Sequence, residues 1–227
     1  MMKFLAMLLL LFTTANAQLV SRRVAAAGGD PTINSDSMTY RHSWKFYTAA
    51  EMTVSASTDY LILFAVTTQD AYHEVAQWGS QDFTLLHRED AGSQNPLTSV
   101  FGLENPTAGT DSIRFTQEAS GAIHWHVVGV ENFTAIDDAD STNSTWSPAN
   151  STLDISSASG KLVIDGIGNA HAKTFTVGAG QSVIYEHALV SGVPGLRIST
   201  EGGSATTTMS WTFTDGISRS HIAMEIE

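Results

Sequence analysis

The chain contains no cysteine. That excludes disulfide staples, thiol catalysis, cysteine-ligated zinc and iron–sulfur clusters. The fold must be held by its apolar core, and 227 residues are enough to build a large one. Positive charge is scarce as well: 11 Lys and Arg stand against 23 Asp and Glu. Such a balance repels nucleic acid and anionic membrane surfaces, so neither is an expected partner. Charged residues of both signs make up only 15% of the chain, while Ser, Thr and Gly abound. That profile suits strands with polar, uncharged outer faces. No G-x-S-x-G elbow, H-E-x-x-H pair, phosphate loop or dinucleotide fingerprint occurs, so no catalytic residue is assigned. Beyond the N-terminus no apolar run reaches the length of a membrane-spanning helix.

Residues 1–17 carry the marks of a signal peptide. Lys3 is a short basic start, Phe4 to Phe12 an apolar stretch, and Ala15-Asn16-Ala17 a small-residue cleavage site leaving Gln18 first. A membrane anchor is the competing reading, and the apolar stretch is too short for it. The expectation is a secreted, extracellular protein. Lys3 is the only charged residue of the leader, so cleavage leaves ten basic side chains against 23 acidic ones.

Residues 18–42 lack periodicity, and Ala25-Ala26-Ala27-Gly28-Gly29-Asp30-Pro31 reads as connector. This segment is expected to be a flexible N-terminal arm, either disordered or paired with a sheet edge of its own or a neighbouring subunit. From residue 43 to 227 strand signals recur every 8–12 residues with turn formers between them. The central one is Tyr60–Thr68, a continuous run of β-branched, aromatic and aliphatic residues bounded by turn formers. Such a run predicts a strand buried on both faces, with Leu61, Ile62, Leu63, Phe64 and Val66 all in the core. Trp44, Trp78, Trp125 and Trp211 sit on strand patterns and are expected there too. Residues 131–150 are polar and rich in Ser, Thr, Asn and Asp, and read as a long connection between two halves. The fold class is all-β: a two-sheet antiparallel β-sandwich, forming a single domain over 43–227.

Several short stretches occur in a familiar order: LILFAVTTQD at 61–70, ENPTAGT at 104–110, Val127-Val128-Gly129-Val130, GKLVIDGI at 160–167, TVGAG at 176–180 and TMSWTF at 208–213. In this the chain resembles a group of secreted bacterial β-sandwich modules whose function is largely unassigned. The resemblance covers roughly residues 43–227. It implies a jelly-roll-like sandwich, an extracellular setting, and adhesive or structural use. It brings no catalytic residues. The aromatic-Gly-Gly turn of such modules is Trp78-Gly79-Ser80 here.

Four groups of residues bear on chemistry. His124 and His126 flank Trp125 and share one face of a strand, as two metal ligands would. His221, which shares a face with Glu225 on the last strand, is the candidate third ligand. The alternative is two ordinary histidines on a polar outer face. Asp137, Asp138 and Asp140 form the acidic group best suited to calcium, and the expectation is either no cofactor or calcium there. A merely solvated acidic loop is the alternative. Asn132, Asn143 and Asn150 each head an acceptor sequon, to be glycosylated if the host does so. Trp146 is the candidate ligand-binding residue, placed to stack on a sugar or to cover the end of the sandwich.

The expected function is a secreted, non-enzymatic structural or adhesive module, a subunit of a surface assembly or fibre. Its partners would be further copies of itself or surface glycans. A carbohydrate-binding module assisted by calcium is the alternative. A glycan-cleaving hydrolase is the third reading, and it needs two carboxylates converging in one cleft, with Glu74/Asp82 and Glu186/Glu201 as candidate pairs.

Overall fold

The computed structural model describes residues 29–68, 73–92, 96–144, 149–170, 174–187, 193–214 and 218–227. Every regular element among them is a strand. In chain order these are β1 (Thr32–Val54), β2 (Tyr60–Thr68), β3 (His73–Trp78), β4 (Gln81–Asp82), β5 (Thr84–Asp90), β6 (Pro96–Glu104), β7 (Gly109–Glu131) and β8 (Ile136–Ser144). There follow β9 (Asn150–Ser156), β10 (Leu162–Asn169), β11 (Phe175–Val177), β12 (Ser182–Glu186), β13 (Gly195–Gly202), β14 (Thr206–Phe213) and β15 (Arg219–Ile226). All pairings are antiparallel, in three sheets. The all-β antiparallel architecture is the expected one, built from three sheets rather than two. The finer jelly-roll expectation stays with the resemblance that raised it.

The first sheet has the order β4-β3-β7-β2-β6-β5, with β1 along the other edge of β7. β1 and β7 each run 23 residues and pair along almost their whole length. Their register shifts between His42 and Tyr47, opposite Thr116 to Ile123. On one side of this irregularity β7 pairs with β3, and on the other with β2. The two halves enclose a common core: Met52, Ala76, Trp78, Ile113 and Phe115 from one, Leu61, Leu63, Phe101, Trp125 and Val127 from the other. Phe101 meets Phe115 edge to face at 5.8 Å, and Trp125 Nε1 donates to Thr48 Oγ1 at 2.9 Å.

β2 lies between β7 and β6, and Leu61 to Thr67 have no solvent exposure. Alternate residues serve the two faces, as the pleat requires. Leu61, Leu63 and Ala65 join the core just described, whereas Tyr60, Ile62, Phe64 and Val66 pack against the second sheet. Full burial of each large apolar side chain contributes about 1.5–3 kcal/mol, so this strand is heavily stabilised. The buried tryptophans are Trp78, Trp125 and Trp211; the Trp44 side chain lies outside the described set.

The second sheet, β12-β13-β10-β15-β8, covers the β2 face through Ile164, Leu196, Ile198, Ile222, Met224 and Ile226. Close approach is possible because β10 carries glycine where β2 is bulky. A Cβ at Gly166 would overlap the Phe64 ring, and one at Gly168 would overlap Val66 and Thr98. The third sheet, β11-β14-β9, closes the other face of the second around Leu153, Ile155, Met209 and Trp211. β9 alternates strictly between exposed and buried residues, so the outer face of this sheet is polar.

Two expected boundaries change. The stretch 131–150, expected as a connection, contains β8, an edge strand paired with β15. β8 lacks an apolar alternation because Ile136 is its one residue packed against the core between the first and second sheets; polar and acidic side chains are common on sheet edges, where they deter pairing with other chains. Within the expected arm, Thr32 to His42 form the start of β1 and pair with β7 of the same chain. Residues 18–28 of the arm and the expected signal peptide, 1–17, lie outside the described residues.

Candidate functional site

The three histidines expected together are divided between two places. His124 and His126 lie on β7, on the face turned to the second sheet rather than to solvent. His124 Nδ1 donates to the Pro194 carbonyl at 3.0 Å, and Nε2 accepts from the Tyr185 hydroxyl at 2.9 Å. Both nitrogens are therefore engaged within the protein. His126 stacks on Tyr185 at 4.0 Å and bonds to Thr39 Oγ1 through Nδ1 at 2.6 Å, while its Nε2 is buried without a hydrogen-bond partner. The neighbour that completes the group is His187, 4.7 Å from His124 between ring centroids and hydrogen-bonded by the Arg41 guanidinium. Burial pushes His124 down to about 3 and His126 and His187 to about 4. Positive Arg41 adds to this at His124 and His187, so all three rings are neutral at pH 7. Together they form a polar clasp between β1 and β7 of the first sheet and the end of β12.

The opposite margin of the same two sheets has its own clasp. Glu89 on β5 accepts from Ser141 and Asn143 on β8, and His87 Nε2 lies 2.9 Å from Ser141 Oγ.

His221 occupies the other face of the second sheet, away from His124 and His126. Its Nε2 donates to Asp165 Oδ2 at 2.8 Å, and its Nδ1 accepts from Ser151 Oγ at 3.1 Å. Asp165 also accepts from Trp211 Nε1 at 2.7 Å and from both the backbone N–H and the hydroxyl of Ser199. Gln181 continues the chain, donating to Ser199 Oγ and accepting from the Ser210 N–H. Asp165, Ser199 and His221 belong to the second sheet; Ser151, Ser210 and Trp211 belong to the third. The network therefore joins the two layers. Asp165 is a carboxylate with no exposure and four donors, which is how a buried charge is made tolerable.

Serine, histidine and aspartate in hydrogen-bonded series are the residue types of a hydrolytic triad. Here Ser151 is 3% exposed, and His221 and Asp165 have no exposure at all. A nucleophile must reach a substrate carbonyl, and this one faces the interior of a sheet interface. Sequence reading missed Asp165 and Ser151. The signal was present in one of them: Asp165 is an ionisable residue inside the apolar run Leu162–Ile167, where only a fully satisfied one is stable.

The acidic residues expected to gather on calcium also separate. Asp138 Oδ2 accepts from the Ser156 N–H at 3.0 Å, and Asp140 accepts from the N–H of Ser141 at 2.7 Å. Asp137 instead meets Glu225 of β15 and Glu227, the residue after it. One carboxylate oxygen each of Asp137, Glu225 and Glu227 lies within 4.8 Å of the others. The cause is a bulge: Met224 pairs with Ala139 but Ile226 pairs with Ile136, leaving Asp137 and Asp138 opposite the single residue Glu225. A bulge turns consecutive side chains to one side, so Asp137 joins Glu225 and Glu227. Hydrogen bonding to Glu227 pushes the Asp137 carboxyl up, and Lys161 beside Glu227 holds that carboxyl down.

Trp146 lies outside the described residues. Of the sequon asparagines, Asn143 gives its amide to Glu89 and Asn132 gives its amide to the Asp30 carbonyl at 3.3 Å. Asn150 is exposed on β9. Glu186 is bonded to Arg197 at 3.1 Å, which commits one of the carboxylates considered for glycan cleavage. Among the described residues no helix is long and apolar enough to cross a membrane. Comparison of the chain with protein-family models, with curated proteins and with solved structures finds no match.

Proposed function

We propose that the chain is a secreted, non-enzymatic β-sandwich module that serves a structural or adhesive role outside the cell, as a subunit of a surface assembly. The observation that carries this reading is the fate of the Ser151–His221–Asp165 series. It is the described set whose residue types and hydrogen bonds come nearest to a catalytic machine, and it is enclosed between two sheets with its donors and acceptors matched. Its evident work is to weld layers together. The two margin clasps, His124–Tyr185 with Arg41–His187 and Glu89 with Ser141, act in the same way. A stack bound at its margins and through its centre suits load-bearing and display. The order of short motifs shared with secreted modules points in the same direction. The glycan-binding alternative rests on Trp146, which lies outside the described residues, together with Asp137, Asp138 and Asp140, whose carboxylates do not gather on one point.

The test runs two arms on the purified protein. One incubates it with panels of ester, peptide and glycoside substrates. The other follows self-association by sedimentation, and retention on cell-wall polysaccharide. Self-association or surface retention without turnover is expected. Turnover that disappears in His221→Ala, or a monomer retained by no surface, would contradict the reading.

A further inference from the structure

We infer that Asp137, Glu225 and Glu227 form a binding site for a hard divalent cation, calcium by preference, at the β8–β15 bulge. Three carboxylates converge there, with one oxygen of each within 4.8 Å of the others. Acidic side chains gather on many protein surfaces without a ligand, so the decisive feature is Glu225. It is only 5% exposed, and its Oε2 is buried with no hydrogen-bond partner among the described residues. A buried carboxylate oxygen in that condition is costly unless a cation or donor meets it. Among the described residues the positive group beside the cluster is Lys161, and its ammonium is paired with Glu227. One ammonium leaves two carboxylates uncompensated.

The donors are all oxygens, which selects calcium or magnesium over softer metals. Calcium accepts irregular sets of six to eight oxygens and bidentate carboxylates, whereas magnesium demands a near-ideal octahedron. Glu225 supplies the buried ligand and Asp137, which is exposed, the open side through which an ion enters. Asp138 stands apart from the three, its Oδ2 accepting from the Ser156 N–H. The bound ion would tie the edge strand β8 to β15 at the one place where their ladder is interrupted. This inference is independent of the structural or adhesive role proposed above.

The experiment strips the purified protein with EDTA and titrates it with calcium chloride, followed by calorimetry and by thermal melting. Magnesium chloride is run in parallel. The expected result is one calcium per chain with a dissociation constant of roughly 10⁻⁴–10⁻³ M, the range of extracellular modules, and a melting temperature that rises with calcium. Magnesium should bind more weakly. Glu225→Gln should weaken calcium at least about tenfold while melting no lower than the stripped wild type, since it removes an unmatched buried charge. Asp137→Asn, at an exposed position, should weaken binding without disturbing the fold, and Asp140→Asn should leave it unchanged. No heat and no melting shift in millimolar calcium would overturn the inference. So would calcium binding that survives both Glu225→Gln and Asp137→Asn.

Discussion

His221 Nε2 donates to Asp165 Oδ2 across 2.8 Å, and neither residue has any exposure to solvent. The two sit 56 positions apart on neighbouring strands of one sheet, yet the bonds they share with Ser151 and Trp211 reach the next sheet. The pair is therefore a joint between layers.

Removing the histidine should show how much that joint contributes. His221→Ala takes one donor from a buried carboxylate, leaves the Ser151 hydroxyl without its acceptor and opens a cavity. A loss of about 2–4 kcal/mol is expected in urea unfolding. Ser151→Ala removes only the terminal bond and should cost about 1 kcal/mol. Equal losses for the two would contradict the order of the network.

Stability should fall with acidification in a defined window. His124 is held near 3 and His126 and His187 near 4 in the folded protein, by burial first in each case. In the unfolded chain each titrates near ~6.5. Between these limits the unfolded chain binds protons that the folded chain does not, so acid favours unfolding. The charged groups facing the cluster, Arg41 and Arg197, are both cationic and add to the resistance to protonation. From these rings, stability is flat above pH ~6.5, declines below it, and levels off as the folded rings protonate near 4 and then 3. Each ring contributes at most about 1.4 kcal/mol per pH unit within its window. Urea midpoints measured across that range should show the decline, and His126→Phe should make it shallower.

Gly166→Ala should be strongly destabilising despite adding a single methyl group. Its Cβ would strike the Phe64 ring, which is fully buried and cannot withdraw. Overpacking of this kind costs about 1–3 kcal/mol or more. The double variant Gly166→Ala with Phe64→Leu should recover part of the loss, because it makes room on the other sheet. Thermal melting of the three variants checks this.

The contact between Gly166 and Phe64 also shows where sequence reading succeeds and stops. β2 was legible because a strand buried on both faces leaves a continuous apolar run. β8 was not, since an edge strand with one core residue, Ile136, looks like a loop. β7 runs as one strand although Ala119-Ser120-Gly121 interrupts its apolar pattern, because its pairing with β1 resumes beyond the interruption. At the candidate sites, His124 and His126 were found through their spacing, yet the partner His187 depends on sheet packing. Asp137 was singled out as acidic, but its true neighbours follow from a bulge that no periodicity reveals.

Glu89→Ala should have a small thermodynamic effect and a local dynamic one. Its bonds to Ser141 and Asn143 are near the surface, so the loss should stay under about 1 kcal/mol. The edge strand β8 should nonetheless open more often. Amide exchange along Ile136–Ser144 should quicken while exchange in Tyr60–Thr68 is unchanged.

The most direct measurement on the proposed role concerns the Ser151 hydroxyl. A fluorophosphonate, which esterifies serines activated by a histidine, is incubated with the folded protein at pH 7, and the intact mass is recorded. An unchanged mass is expected, because Ser151 is enclosed between two sheets and out of reach of the reagent. A stoichiometric adduct on Ser151, absent from His221→Ala, would identify a working nucleophile and contradict a non-enzymatic module.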